Sequence, residues 1–243
     1  RGQAALAELG VTTLPLQSAL DACDAVILAV PDNRIGQVAH QLAPQLQPGT
    51  MVMVLDAAAP YAGELPNRGD LVYFVTHPCH PPVFSNESEP EAQRDFFGGE
   101  YARQHIVCAP MQGPEAAYTE GEHLARTIFQ PVMRSHRCTV EQLILLEPVL
   151  SETVLATCLT VIRQATDEAI RRGVPAEAAR DFVLGHLRVV LGIVFQEKKG
   201  AVFSDGALKA IEAAMPDLFR PDWKKVFEPD AIRQSVHQIT KTN

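Results

Sequence analysis

Six consecutive apolar residues at 25–30 (AVILAV) form the strongest strand signal in the chain, a run of the kind seen when both faces of a strand are covered. Helical spacing replaces it at once. Ile35, Val38, Ala39, Leu42 and Leu46 recur every three or four residues until Pro48-Gly49 stops the helix. Residues 50–55 predict the next strand, closed by Asp56, and 71–76, 105–108 and 132–135 predict three more. A proline-rich loop over 78–90 and a helix over 114–129 separate these strands. Upstream, 1–9 reads as a helix and 11–13 as a short strand, followed by a short helix. This alternation is the rhythm of crossover units and predicts an α/β fold around a largely parallel sheet. Strand signals almost vanish after Arg137. Val140, Leu143, Leu146, Leu150, Val154, Ala156, Leu159, Ile162 and Ala165 trace one long helix, or two broken at Pro148, ending at the capping Gly173. Further helices are expected over 176–195, 207–214 and 230–240. The predicted organisation is an α/β domain over 1–136 followed by an all-helical domain over 137–243.

Composition narrows what such a chain does. A formal net charge of −8 lacks the basic footprint of a nucleic-acid-binding protein. With 47% hydrophobic and 21% charged residues the chain is an ordinary globular one. Its longest apolar runs, 25–31 and 189–195, fall short of the roughly 18 residues of a membrane span, so no membrane crossing is expected. Five cysteines without a close pair, and no basic-then-apolar leader, predict reduced thiols and a cytoplasmic protein. The stretch 189–195 is apolar almost all round and calls for burial on every side, which predicts a homodimer.

Ligands of open parallel sheets bind outside the carboxyl ends of the strands, so the strand exits carry the candidate chemistry. Val30-Pro31-Asp32-Asn33 comes directly after AVILA and resembles the exit that contacts the nicotinamide side of a dinucleotide in Rossmann dehydrogenases. Asp32 or Asn33 could equally cap the next helix. After Asp56, the small Ala57, Ala58 and Ala59 let a flat ring approach the backbone or make a tight loop. The third exit, THPCHPP (76–82), sets His77 and His80 between prolines that hold the imidazoles in a defined geometry. That suits an acid/base group or a metal ligand, although two histidines are too few donors for zinc and other ligands must come from elsewhere. Glu147 stands in an apolar stretch (LILLEPVL), beside a helix-kinking Pro148. On an α-helix Ser151 shares its face, whereas Glu152 lies about 140° around. Cationic partners for an acidic substrate come from Arg134, His136, His186, Arg188, Lys209 and Lys224, with His186 and Lys209 as the substrate contacts and structural roles open for each.

A dinucleotide-binding domain opens with a strand, a G-x-G-x-x-G turn and a helix. That fingerprint is absent here, and the order helix, short strand, short helix, AVILAV matches the portion of such a domain that lies beyond its second strand. The fingerprint is therefore expected just before Arg1. The chain also carries DAVILAVPDNRIG (24–36), LDAAAP (55–60), YFVTHPCHPPVF (73–84), RDFFGG (94–99), QHIVCAPMQGPEAAY (104–118), VMRSHR (132–137), LLEPVLSET (145–153) and DWKKVF (222–227). With these motifs it resembles the 6-phosphogluconate and 3-hydroxyacid dehydrogenase superfamily and, more closely, the D-apionate oxidoisomerase family, over nearly its whole length. The resemblance implies a Rossmann-type domain followed by a helical one. It also implies NAD-dependent oxidation coupled to isomerisation of a branched sugar acid, D-apionate, to 3-oxo-isoapionate. The superfamily's helical domain commonly brings a lysine and an asparagine to the substrate, but Glu147, Ser151 and Glu152 stand in the matching helix here. A carboxylate with an imidazole suits a divalent ion, zinc or magnesium, held by His77, with or without His80, and Glu147, as ketol-acid reductoisomerases require; without metal the same groups form a catalytic acid/base pair. NAD would lie along Val30 to Asn33 and Ala57 to Ala59, with the metal or His80 taking up alkoxide charge. Two other readings stand beside this one. In a metal-free 3-hydroxyacid dehydrogenase, His77 and His80 are the general acid and base; a non-catalytic dinucleotide-binding regulatory protein would need neither.

Overall fold

The structure, a computed structural model, describes residues 2–241. It runs α1 (Gly2–Glu8), α2 (Leu16–Asp21), β1 (Ala25–Leu28), α3 (Asp32–Leu42), β2 (Met51–Val54), α4 (Ala58–Tyr61), β3 (Val72–Pro78), α5 (Pro90–Arg94) and β4 (Gln104–Gln112). Then come α6 (Ala117–Ile128), β5 (Val132–Arg137), α7 (Val140–Ile144), a π-helical segment Leu145–Ala156, α8 (Thr157–Arg171), α9 (Ala176–Val194), α10 (Asp205–Leu218) and α11 (Pro229–Thr240). The chain divides into two compact units, Arg1–Leu145 with Arg233–Asn243, and Leu146–Ile232.

The first unit is built on one five-stranded sheet in the order β1-β2-β3-β4-β5. The pairs β1/β2, β2/β3 and β4/β5 are parallel, but β3/β4 is antiparallel, so the sheet is mixed at one pairing. Antiparallel neighbours need no crossover helix, and the long excursion between β3 and β4 is instead free to fold as a structure of its own. The sheet is covered on both faces, which is why Met51, Val52, Met53 and Val54 are all buried and the strand reads as a continuous apolar run. One face packs Leu28, Val52, Val54 and Tyr73 against Ile35 and Ala39 of α3. The other packs Met53, Phe74, Ile106 and Cys108 against Ala125 of α6. Each fully buried large apolar side chain contributes about 1.5–3 kcal/mol. Helix α6 lies so close that a Cβ at Gly121 would sit 2.5 Å from the Phe74 ring, so only glycine fits there.

Three boundaries differ from those the sequence predicts. Residues 11–13 form no strand; among the described residues no strand pairs with them, Val11 N–H donating instead to the Leu6 carbonyl at 2.9 Å, and they stay exposed. The expected domain boundary at 136/137 moves to 145/146, because Val140, Leu143 and Ile144 bury α7 against β4 and α4 of the sheet unit. A capping box starts that helix, with the Thr139 hydroxyl accepting from the Gln142 N–H and the Gln142 side chain accepting from the Thr139 N–H. The chain from Arg233 onward also rejoins the first unit, where Val236 is buried.

The second unit is helical, with α8 packed on α9 and Gly173 closing α8 at φ +102°. It buries little of its own apolar surface. Helices α8 and α10 contain no buried residue, and α9 buries only Ala179. Val189 is 58% and Phe195 68% exposed. The continuous helical stretch Val140–Arg171 is, by length and composition, long and apolar enough to cross a membrane, which unbroken apolar runs alone did not indicate. Mean hydropathy tolerates the serine, threonine and cysteine that interrupt those runs.

Candidate functional site

Strands β1, β2 and β3 run parallel side by side, so their carboxyl ends share one edge of the sheet. At that edge β1 leads through Val30 and the exposed Pro31 into α3, whose first residue is Asp32. Neither Asp32 nor Asn33 serves as the helix cap: Pro31 occupies that position and makes no side-chain cap bond. Both polar side chains are half-buried at the strand exit instead. Ala57, Ala58 and Ala59 are buried throughout, at 1% exposure or less, so at this exit the chain offers no open surface at the alanines themselves.

Asp56 ends the β2 exit and is largely buried, its Oδ1 accepting the Ala58 N–H at 2.6 Å. This turn ties the carboxylate to the start of α4 and leaves Oδ2 for other partners. Burial, together with the negative charge of Asp56, raises the pKa of Asp32. Two carboxylates thus face the same edge, an arrangement that a cation would relieve.

His77 lies inside β3, paired with Val107 of β4, rather than in the loop that its flanking prolines suggested. The strand extends past Thr76 because the antiparallel partner continues alongside it. His77 Nδ1 donates to the Pro78 carbonyl at 2.8 Å, since a carbonyl can only accept. The lone pair of its neutral form is therefore on Nε2. Burial lowers the pKa of this imidazole and His80 adds to the effect, against the Pro78 carbonyl and Asp56, which favour the charged form. Donor atoms of Asp56 and His77 lie within 4.8 Å of each other.

His80 belongs to the loop and has a left-handed backbone, φ +59°. Its Nδ1 donates to the Phe97 carbonyl at 2.8 Å. Its ring stands perpendicular to that of His77, centroids 6.0 Å apart. Neutral His80 also presents an unprotonated Nε2, the form that accepts a proton or binds a metal.

In the helical unit, Glu147 is half-buried and Ser151 and Glu152 are exposed. The π-helix revises their relation. Its hydrogen bonds join residues five apart, which brings Glu147 and Glu152 nearer to one face than α-helical geometry allows. His186 is exposed on α9, with Nδ1 on the Phe182 carbonyl and its ring stacked on Phe182 at 3.9 Å. Lys209 is exposed on α10.

Two features escape a reading of the sequence. Asp56 stands out there only as the residue closing a strand, although a carboxylate at the carboxyl end of a central parallel strand is signal enough to name it a ligand. The bond from His80 to Phe97 has no sequence signal, because it joins residues 17 apart through a backbone carbonyl.

A family model described as phosphogluconate dehydrogenase (decarboxylating) C-term matches residues 85–240. A D-apionate oxidoisomerase from Rhizobium rhizogenes is 57% identical over 233 residues, covering 96% of this chain and 84% of the relative. One from Cupriavidus necator has the same identity and coverage. Among solved structures, a semialdehyde dehydrogenase NAD-binding protein from Cupriavidus necator in complex with calcium and NAD superposes with a TM-score of 0.95. It is 56% identical, with 98% of this chain and 86% of that chain covered.

Proposed function

The chain belongs to the D-apionate oxidoisomerase family, within the 6-phosphogluconate dehydrogenase-like superfamily, and we propose that it oxidises D-apionate with NAD and rearranges it to 3-oxo-isoapionate. The observation that carries this reading is the strand edge, where Asp32, Asp56, His77 and His80 converge. NAD supplies the hydride acceptor when bound, and the exits Val30 to Asn33 and Ala57 to Ala58 are its seat at the ends of β1 and β2.

A divalent ion would be held by His77 and Asp56 and would supply Lewis acidity toward neighbouring carbonyl and hydroxyl oxygens. The donors fit such an ion: an imidazole with its lone pair on Nε2 and, within 4.8 Å of it, the Asp56 carboxylate. Mixed nitrogen and oxygen donors suit zinc or a similar ion, while magnesium and calcium favour oxygen. The structure of the Cupriavidus necator relative contains calcium.

His80 Nε2 takes the proton of the reacting hydroxyl as hydride leaves its carbon. In the skeletal shift a hydroxyl beside the new carbonyl gives up its proton, one carbon substituent migrates to the carbonyl carbon, and the alkoxide formed there is reprotonated. Once it has released the oxidation proton to solvent, His80 carries the second hydroxyl's proton to the new alkoxide, so the isomerisation balances without a further reactant. Ser151, Glu152, His186 and Lys209 serve to hold the sugar acid. The helical unit is completed by a second copy of the chain, because its exposed apolar side chains leave it without an adequate core of its own.

The test is NAD reduction by D-apionate before and after chelation, with products identified by mass and NMR. Rearranged product, with rate lost on chelation and restored by one divalent ion, is expected. An unrearranged keto acid would mean a simple dehydrogenase, and full turnover after exhaustive chelation would remove the metal from the reading.

A further inference from the structure

The excursion between β3 and β4 is long, yet it is closely built. After α5, the Asp95 carboxylate accepts four backbone N–H groups: Gly98 at 2.9 Å, Glu100 at 3.2 Å, Tyr101 at 2.9 Å and Ala102 at 3.0 Å. These bonds wind residues 96–102 around one side chain. Gly98 and Gly99 both take left-handed backbone, and a Cβ at Gly98 would lie 2.6 Å from the Gln104 amide. Glu87 pins the far side by accepting from the Arg103 backbone and guanidinium. Phe96 and Phe97, at the tip, are 76% and 80% exposed, so burial of their rings does not hold this turn in place. What the turn does present to the neighbouring loop is the Phe97 carbonyl, on which the exposed His80 rests its Nδ1 at 2.8 Å.

We propose that Asp95 is a positioning residue that acts through the Phe97 carbonyl to fix the tautomer and ring orientation of His80. A carbonyl in that place selects the Nδ1–H form and leaves Nε2 with its lone pair. Without it the ring is free to place the proton on Nε2, where it can no longer accept one. Any effect on turnover rests on the proton-transfer role given to His80 above, whereas the tautomer itself does not.

The experiment records the 15N–1H correlations of the histidine rings in the full chain, with His80→Ala identifying the His80 signals, alongside kcat and KM. In the unaltered protein neutral His80 is expected as the Nδ1–H form. Asp95→Ala is expected to move it toward Nε2–H and to lower kcat about tenfold, with KM for NAD unchanged. Asp95→Asn, which retains an acceptor oxygen, keeps the chain folded and gives an intermediate result. Phe96→Ala leaves the tautomer as it is. An Nδ1–H ring in both folded Asp95 variants would overturn the inference. A shifted tautomer with unchanged kcat would uphold the inference and overturn the role of His80 in proton transfer.

Discussion

His77 and His80 stand three residues apart and are oriented by different means, one by strand pairing and one by a carbonyl delivered from 17 residues away. The same contrast separates the two aspartates that matter. Asp56 joins the reactive edge, while Asp95 shapes the loop beside it. Asp56→Asn keeps the Oδ1 that accepts from Ala58 but removes the charge beside His77. It is expected to fold normally, bind a divalent ion more weakly in calorimetric titration and lose about a hundredfold in kcat/KM. For Asp95, hydrogen bonds from the backbone, led by Tyr101, hold the carboxyl below its usual pKa. The stability this confers is whole above the unfolded value of about 4 and is lost as pH falls through the folded one. The melting temperature should therefore fall with acidification below about pH 4, and Asp95→Asn should flatten that part of the profile relative to the unaltered chain.

At the scale of elements, the π-helical segment is the departure from regular structure that bears most on chemistry. Pro148 lies inside it and has no N–H to give to a helical ladder, and the Thr153 hydroxyl donates to the Pro148 carbonyl at 2.8 Å. The wider turn brings Glu147 and Glu152 toward one face. Pro148→Ala restores the missing donor and favours an α-helical register. It is expected to raise the melting temperature by a few degrees while lowering kcat/KM, because Glu152 then turns away from the face of Glu147. A variant as active as the parent would show that the π register is not needed for turnover.

For the whole molecule, the imbalance between the units dominates. The sheet unit has a core on both faces, whereas the helical unit exposes Val189, Val194, Phe195 and Leu218 along with other large apolar residues. A dimer that covers this surface is expected in sedimentation equilibrium, with a melting temperature that rises with protein concentration. Val189→Glu should shift the protein toward monomer and lower helical content by circular dichroism. The unbroken runs at AVILAV and MVMV already specified buried strands, and the spacing of Ile35, Val38, Ala39 and Leu42 specified the helix between them, because burial on both faces or on one stripe leaves a periodic mark in the chain. The strand exits, and with them His77 and the Val30 to Asn33 turn, were legible for the same reason. The antiparallel turn from β3 to β4, the placement of α7 in the sheet unit, the π register that brings Glu147 and Glu152 toward one face and the carbonyl that holds His80 depend on contacts between distant residues. Such contacts leave no period in the sequence, so only the tertiary structure decided them.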